Sequence, residues 1–360
     1  MKYCYNLKNF LRNRIYPVSK KICHIKQMKR MEETCGFHFM VEKIPNYGED
    51  SEPIYLKMEN NTFAVAVFDG LGGSGAAKCK SEYGEDCTKA YIASRIIRDC
   101  VENILKTEEK VDEQILHDKI KERLEREVNS YSSTKSILRS SIARDYPTTM
   151  ALMIAHRNDD DDSTTIDSYW AGDSRNYLWT KKGLYQLSID DIQSGEDAME
   201  NLHNDSRVSN CICADQSFKI NHRKVDLKKN EPCILLSATD GCFGYYPSPM
   251  HFEAVLKDAL KQADSYEEWK ELVLRHITEV TGDDISLSLL TIPQCNFKEV
   301  KKNMAGDVKR FQEITVLESD IKVAEELLAE GRSKYQPLLQ DIWEEYKQEY
   351  ENYIKSDENA

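Results

Sequence analysis

The chain of 360 residues lacks any uninterrupted apolar run near the ~18 residues that a membrane-spanning helix needs, which excludes an integral helical membrane protein. It is also short of positive charge: 49 Lys and Arg stand against 62 Asp and Glu, a formal net charge of −13. Nucleic-acid backbones and anionic membranes are met by clustered Lys and Arg, so neither a general nucleic-acid binder nor a membrane-surface protein is expected. No charged start, apolar stretch and small-residue cleavage site marks a secretory signal. Eleven cysteines are scattered singly apart from Cys211-x-Cys213, and together these absences predict a reduced, cytoplasmic setting. Cys211 and Cys213 followed by His222 match no common zinc-ligand spacing. Buried thiols are expected there instead.

What is present suffices for a folded enzyme. Hydrophobic residues make up 40% of the chain, and its length suits one large domain with appendages. Three segments are expected. Residues 1–36 form a basic arm, whose first thirty residues carry nine Lys or Arg and no acid; it reads as a loosely docked arm, with a targeting extension or surface anchor as alternatives. Residues 37–292 alternate strand-like runs with helical stretches. Residues 293–360 form a charged helical extension, in which Tyr335, Leu339, Ile342, Tyr346, Tyr350 and Tyr353 recur along one helical stripe. That stripe is expected to pack back on the main domain; a helix-mediated dimer and a partner-binding arm are the alternatives. Within the central segment, Ile92, Ile96, Ile97, Val101, Ile104 and Leu105 have helical spacing, and residues 159–162 read as an acidic, solvated turn. A hairpin is expected through Lys181-Lys182-Gly183.

Three aspartates border apolar runs. FAVAVF leads into Asp69-Gly70-Leu71-Gly72-Gly73, CILLSAT into Asp240-Gly241, and Asp283-Asp284 opens ISLSLLTI. Runs of this kind read as strands with a buried face, so their ends project fixed carboxylates into a common region if the strands share a core. Such a cluster repels itself unless a cation neutralises it, and hard oxygen donors suit Mg²⁺ or Mn²⁺. The glycine loop after Asp69 supports no nucleotide site. Gly70, Gly72 and Gly75 satisfy G-x-G-x-x-G, but no second strand ending in an acid follows at about 20 residues, and Asp69 would repel a pyrophosphate. Ala76-Ala77 stands where a P-loop needs Lys-Ser/Thr. A serine nucleophile elbow at Ser74 lacks a persuasive later histidine. Glycine does serve a metal site, because without a Cβ a carboxylate and the neighbouring carbonyl can face one ion; Asp69 and the carbonyl of Gly70 make such a pair.

FAVAVFDGLGG, YPTTMAL, YWAGDSRNYLW, ILLSATDG and GDDISLSLL occur in the order and approximate spacing of the motifs of metal-dependent protein phosphatases of the PP2C (PPM) type. Glu49-Asp50 resembles the acidic pair that opens that family's domain. The resemblance spans residues 37–292 and implies an α+β fold, a four-layer α-β-β-α sandwich of two antiparallel sheets flanked by helices, followed here by the C-terminal helical extension. It implies two or three Mg²⁺ or Mn²⁺ ions: Asp69 bridging two, the Gly70 carbonyl on one, Asp240 and Asp283 on the other, Glu49 and Asp50 ligating directly or through water, and Asp173 near a further ion. Asp69 and Asp50 would be the catalytic carboxylates. The implied partner is a phosphorylated protein, whose phosphoserine or phosphothreonine is hydrolysed by a two-metal-activated hydroxide without a phosphoenzyme. The chain departs from the pattern in three places. Leu71 stands where many relatives carry a histidine, and Pro45 replaces a phosphate-gripping arginine, leaving Lys43 as the nearest stand-in for the substrate phosphate. Asp283-Asp284 replaces Asp-Asn; the added acid is expected to favour tighter metal binding or to face solvent. A catalytically inactive binding module with the same fold, or a phosphatase for a small phosphorylated metabolite, are the alternatives. Substrate choice is expected to lie in the loops of residues 190–221.

Overall fold

The computed structural model describes residues 35–80, 86–130, 145–158, 160, 163–193, 197–203, 207–215, 217–227, 231–293, 296–306 and 309–351. The basic arm up to residue 34, Tyr353 and most of the acidic 159–162 turn lie outside the described residues; Asp160 is an exposed turn residue.

The described strands are β1 (Gly36–Val41), β2 (Ile54–Lys57), β3 (Thr62–Val67), β4 (Lys78–Lys80), β5 (Asp86–Thr88), β6 (Met150–Asn158), β7 (Ser163–Ala171), β8 (Arg175–Thr180), β9 (Gly183–Gln186), β10 (Asn221–Leu227), β11 (Cys233–Ala238) and β12 (Ile285–Ile292). Two five-stranded sheets result, in the orders β1-β12-β11-β8-β9 and β10-β7-β6-β3-β2, with every pairing antiparallel. β4 and β5 form a separate hairpin, and β8 turns into β9 through Lys181-Lys182 as expected.

Alternation along each strand builds the layers, because successive side chains point to opposite faces. Phe63 and Val65 of β3 face the other sheet, where they meet Leu235 of β11 and Leu290 of β12. Ala64, Ala66 and Phe68 face the opposite way, onto Ile97, Val101 and Ile104 of the helix Lys89–Thr107 and onto the helix Glu113–Ser130 through Leu116 and Ile120. On the other outer face, Ile234, Leu236, Leu287 and Leu289 pack on Phe252, Leu256, Trp269 and Val273 of the helices Pro249–Gln262 and Tyr266–Val280. The fold is therefore the four-layer α-β-β-α sandwich expected. Side-chain caps fix the helix starts: Thr88 accepts from the Tyr91 N–H and Ser265 from the Glu268 N–H. Cys211 and Cys213 are buried, while His222 stacks on Tyr169 and hydrogen-bonds Asp167 at 2.8 Å.

The gap between the sheets is apolar at one end only. Leu178, Leu235 and Leu290 lie side by side across β8, β11 and β12, but one row along the same face come Asn176, Ser237 and Ser288. The Asn176 amide donates to Leu152 O, Tyr169 O and Ser168 Oγ, and Ser237 Oγ donates to Asn176 Oδ1 at 2.7 Å. These buried groups are thus paired across the two sheets.

The C-terminal extension departs from expectation. Its first helix, Phe297–Met304, does join the body, burying Phe297, Val300 and Met304 in the same core as Trp269. The long helix Lys309–Tyr350 does not pack back: Tyr335, Leu339, Ile342, Tyr346 and Tyr350 are 46–60% exposed. Only its beginning touches the body, where Phe311 meets the His251 ring edge-to-face and the Glu318 carboxylate accepts from His251 Nε2 at 2.8 Å. An apolar helical period specifies that a face needs cover, not what covers it. Among the described residues no helix is long and apolar enough to cross a membrane.

Candidate active site

Asp69 follows β3 by two residues, and the YPTTMAL segment pins its backbone. Its carbonyl accepts from the Thr149 N–H at 2.7 Å and from Thr148 Oγ1 at 2.7 Å, and its N–H donates to Thr149 Oγ1 at 3.2 Å. Thr149 Oγ1 in turn meets Ser174 Oγ at 2.6 Å. Asp240 follows β11 at the start of the turn Asp240–Phe243, where a Cβ on Gly241 would lie 1.9 Å from the backbone oxygen of Asp284. That contact brings the Asp240 and Asp283-Asp284 turns together, and no other residue allows it.

The two turns and the glycine loop enclose a cavity of about 630 Å³, whose walls include Glu49, Asp69, Gly70, Asp240, Asp283 and Asp284. Asp50 and Asp173 stand behind this wall. Asp50 is fully buried and accepts from Thr239 Oγ1 at 2.9 Å. Burial, joined by the charges of Asp240 and Asp284, pushes it up to about 8. Burial likewise lifts Asp173 to about 7, aided by Asp240 and Asp190. Asp69, desolvated and facing Asp50, Asp240, Asp173 and Asp283, is raised well above the usual carboxylate range, and Asp240 is raised by burial and by Asp283 while hydrogen-bonded to Asp69. Glu49 and Asp283 are also raised, chiefly by burial. Carboxylates so placed resist simultaneous ionisation, because each removes solvent from and repels the next.

Lys43 is exposed and does not border the cavity. Its backbone N–H donates to Asp284 Oδ1 at 2.7 Å, and the Glu49 N–H donates to Asp284 Oδ2 at 2.6 Å. Asp284 therefore does not simply face solvent: both its oxygens clamp the 43–49 loop, which one asparagine oxygen could not do without placing an amide donor against an N–H. Glu49 is held further by Thr88 Oγ1 on its carboxylate and by Ser94 Oγ on its carbonyl. Arg175 is spent on Asp190, with Nη2 at 2.6 Å and the ring of Phe243 beneath it, and does not neutralise Asp173 through a direct bond.

Among the described lining residues the cavity has one cation, Arg207, from the 190–221 stretch, and no histidine; Leu71 lies on the wall in the position noted above. Sequence reading passed over Arg207, Thr148, Thr149, Thr239 and the clamp made by Asp284. The signal for the threonines was present in YPTTMAL and LLSATDG, where hydroxyls interrupt apolar runs beside the aspartates.

Among the described residues no three His, Cys, Asp or Glu side chains form a closed ligand set. The donors nevertheless fit hard cations: they are all carboxylate or carbonyl oxygens, and Asp173 Oδ1 is buried with no hydrogen-bond partner.

A sandwich of this kind is found in solved proteins. An arginine-to-lysine variant of a bacterial serine phosphatase is similar at 16% identity, covering 72% of this chain and 98% of its own, with a TM-score of 0.50. A sex-determining protein of C. elegans is similar at 15% identity over 75% of this chain and 67% of its own, also with a TM-score of 0.50. The catalytic domain of a serine/threonine protein phosphatase solved in complex with two manganese ions is similar at 13% identity over 71% of this chain and 97% of its own, with a TM-score of 0.44. Among curated protein sequences no match is found. The family model for protein phosphatase 2C matches residues 51–281, from the segment after Asp50 through Asp69, Asp173 and Asp240, and the chain belongs to the protein phosphatase 2C family.

Proposed function

We infer that the protein hydrolyses phosphoserine and phosphothreonine in phosphorylated proteins. The observation that carries this reading is a cavity walled by Glu49, Asp69, Asp240 and Asp283, with Arg207 the one cation among its described lining residues. Two or three Mg²⁺ or Mn²⁺ ions would be held by Asp69, the Gly70 carbonyl, Asp240 and Asp283, with Glu49, Asp50 and Asp173 ligating directly or through water. When bound, such ions neutralise the carboxylates, attract a phosphate dianion and acidify water.

The chain's own residues position the reaction. Asp69 is the central catalytic carboxylate, and the threonine pair fixes its backbone so that its oxygens keep one direction. Asp50, shielded behind it, serves as the second, aiming through Thr239 and kept apart from bulk water. Arg207 takes the phosphoryl oxygens in place of the arginine lost at Pro45; its fork can grip two oxygens at once, which Lys43 could not do even if it reached them. Leu71 offers no proton to the leaving alkoxide, so protonation comes from solvent entering the open side of the cavity.

A second reading, a binding module that keeps the fold without turnover, is favoured by Leu71 and Pro45. A small phosphorylated metabolite as substrate would use the same carboxylates. Release of phosphate from a phosphothreonine peptide, measured with Mn²⁺ or EDTA for the native chain and for Asp240→Asn, decides among them. Manganese-dependent release lost in both EDTA and the variant is expected. No release from peptide, with release from a small phosphate ester, would favour the metabolite reading; no release from either would favour the binding module.

A further inference from the structure

The exposed apolar stripe of the long C-terminal helix is laid out to match itself. From Ile314 it runs through Leu317, Ile321, Ala324, Leu328 and Gly331 and continues to Tyr350. Its ten steps span 36 residues, the helix's own 3.6 residues per step, so the stripe stays on one side of a helix about 63 Å long that holds Pro337 between Tyr335 and Leu339. The large side chains along it are 36–61% exposed. The contacts to the body made by Phe311 and Glu318 flank Ile314, three residues after one and four before the other, so the body adjoins the start of the stripe, and beyond Ile314 its large side chains are 46–61% exposed.

We propose that a second copy of this chain covers the stripe, as an antiparallel helix pair with its two-fold axis between Gly331 and Arg332. In that register the two halves are complementary in size. Ala324 faces Leu339 of the other copy, Leu328 faces Tyr335, and Ile321 faces Ile342, while the two Gly331 residues meet where no side chain is available to hold the helices apart. The small-against-large pair of Ala324 and Leu339 recurs on both sides of the axis, as an isologous interface requires. A parallel pair sets Ala324 against Ala324 and Tyr335 against Tyr335, leaving a gap and a clash, and brings Asp320 toward Glu325. The stripe's exposed surface amounts to roughly 800 Å² per chain, the share each partner contributes to a standard stable interface. This inference does not depend on the proposed activity.

The test uses the full-length chain. Sedimentation equilibrium at micromolar concentration is expected to give twice 41.6 kDa, falling to the single mass in Ile321→Glu or Leu328→Glu, both solvent-exposed or half-exposed positions outside the compact body. Under mild oxidation, Gly331→Cys should cross-link to itself above the wild-type background, whereas Ile314→Cys should not, because the two copies of that position lie about 50 Å apart in this register. A monomer at all concentrations, a dimer indifferent to both glutamates, or self-linkage of Ile314→Cys would each overturn the proposal.

Discussion

Replacing Asp50 by Asn should stabilise the metal-free protein. Asp50 is fully buried and pushed from 3.8 to about 8, first by burial and then by Asp240 and Asp284. Between those values the native state holds a proton that the unfolded chain has released, so the group's stabilising contribution is complete below about pH 4 and is lost as pH rises toward 8. At about 1.4 kcal/mol per pH unit, keeping this carboxyl folded at pH 7 costs on the order of 4 kcal/mol. Asparagine retains an oxygen for Thr239 Oγ1 and carries no charge, so it should recover a sizeable part of that cost. The assay is thermal unfolding in EDTA from pH 5 to 8. The variant should melt several degrees higher at pH 7, at about 2–4 °C per kcal/mol for a body of this size, and its melting temperature should fall less steeply with rising pH. Millimolar Mn²⁺ should reverse the order, since a ligand that binds only the native state stabilises the native chain more than a variant lacking one carboxylate. Equal or lower stability of the variant in EDTA, with an unchanged pH slope, would refute the electrostatic reading of this buried acid.

Arg207→Ala should raise KM for a phosphopeptide roughly tenfold, as loss of a charge-assisted phosphate contact implies, with a smaller change in kcat; Arg207→Lys should recover part of it, and an unchanged KM in steady-state assays would remove Arg207 from the site. Asp284→Asn sets an amide donor against the N–H of Lys43 or Glu49 and should cost about 1–3 kcal/mol in denaturant unfolding, a loss accompanied by weaker Mn²⁺ binding in titration calorimetry because Glu49 is no longer held. A variant as stable as the native chain would show that the clamp is dispensable.

The sheets were legible because their strands are short apolar runs or alternate about large aromatics, and the three aspartates at run ends were legible because the only other charged residue in FAVAVFDG, LLSATDG and GDDISLSLL is the adjoining Asp284. Other features needed the fold. Asp284 meets the Glu49 N–H across 235 residues, and no local pattern announces a bond of that span. Arg207 is an ordinary cation in a polar stretch until the bridge between Ile192 and Val208 brings its segment to the cavity. The C-terminal stripe was readable as a helix face, yet its position away from the body was not, since periodicity is identical whichever surface covers it.

The interrupted apolar runs carry more information than their hydropathy suggests. In β12, Ser286 and Ser288 occupy the face that Leu290 and Ile292 continue, and in β11 Ser237 precedes Thr239 on the face begun by Cys233 and Leu235. Read with a period of two, both strands turn from apolar to hydroxylic toward the end that bears an aspartate. A hydroxyl there costs little when the opposing segment supplies an acceptor, and it does: Ser286 Oγ donates to Ser51 O, Ser288 Oγ to Ile54 O at 2.8 Å, and Thr239 Oγ1 to Asp50 Oδ2. These bonds draw residues 50–54 into the mouth of the sandwich, which is how Asp50, in a loop that looks ordinary by composition, comes to be buried beside Asp69 and Asp240. Had the rows been leucine throughout, the two sheets would close completely and Asp50 would have no polar lining to enter. The polar rows thus decide which end of the sandwich opens, and the aspartates stand at that end because only there does the interior accept a carboxylate.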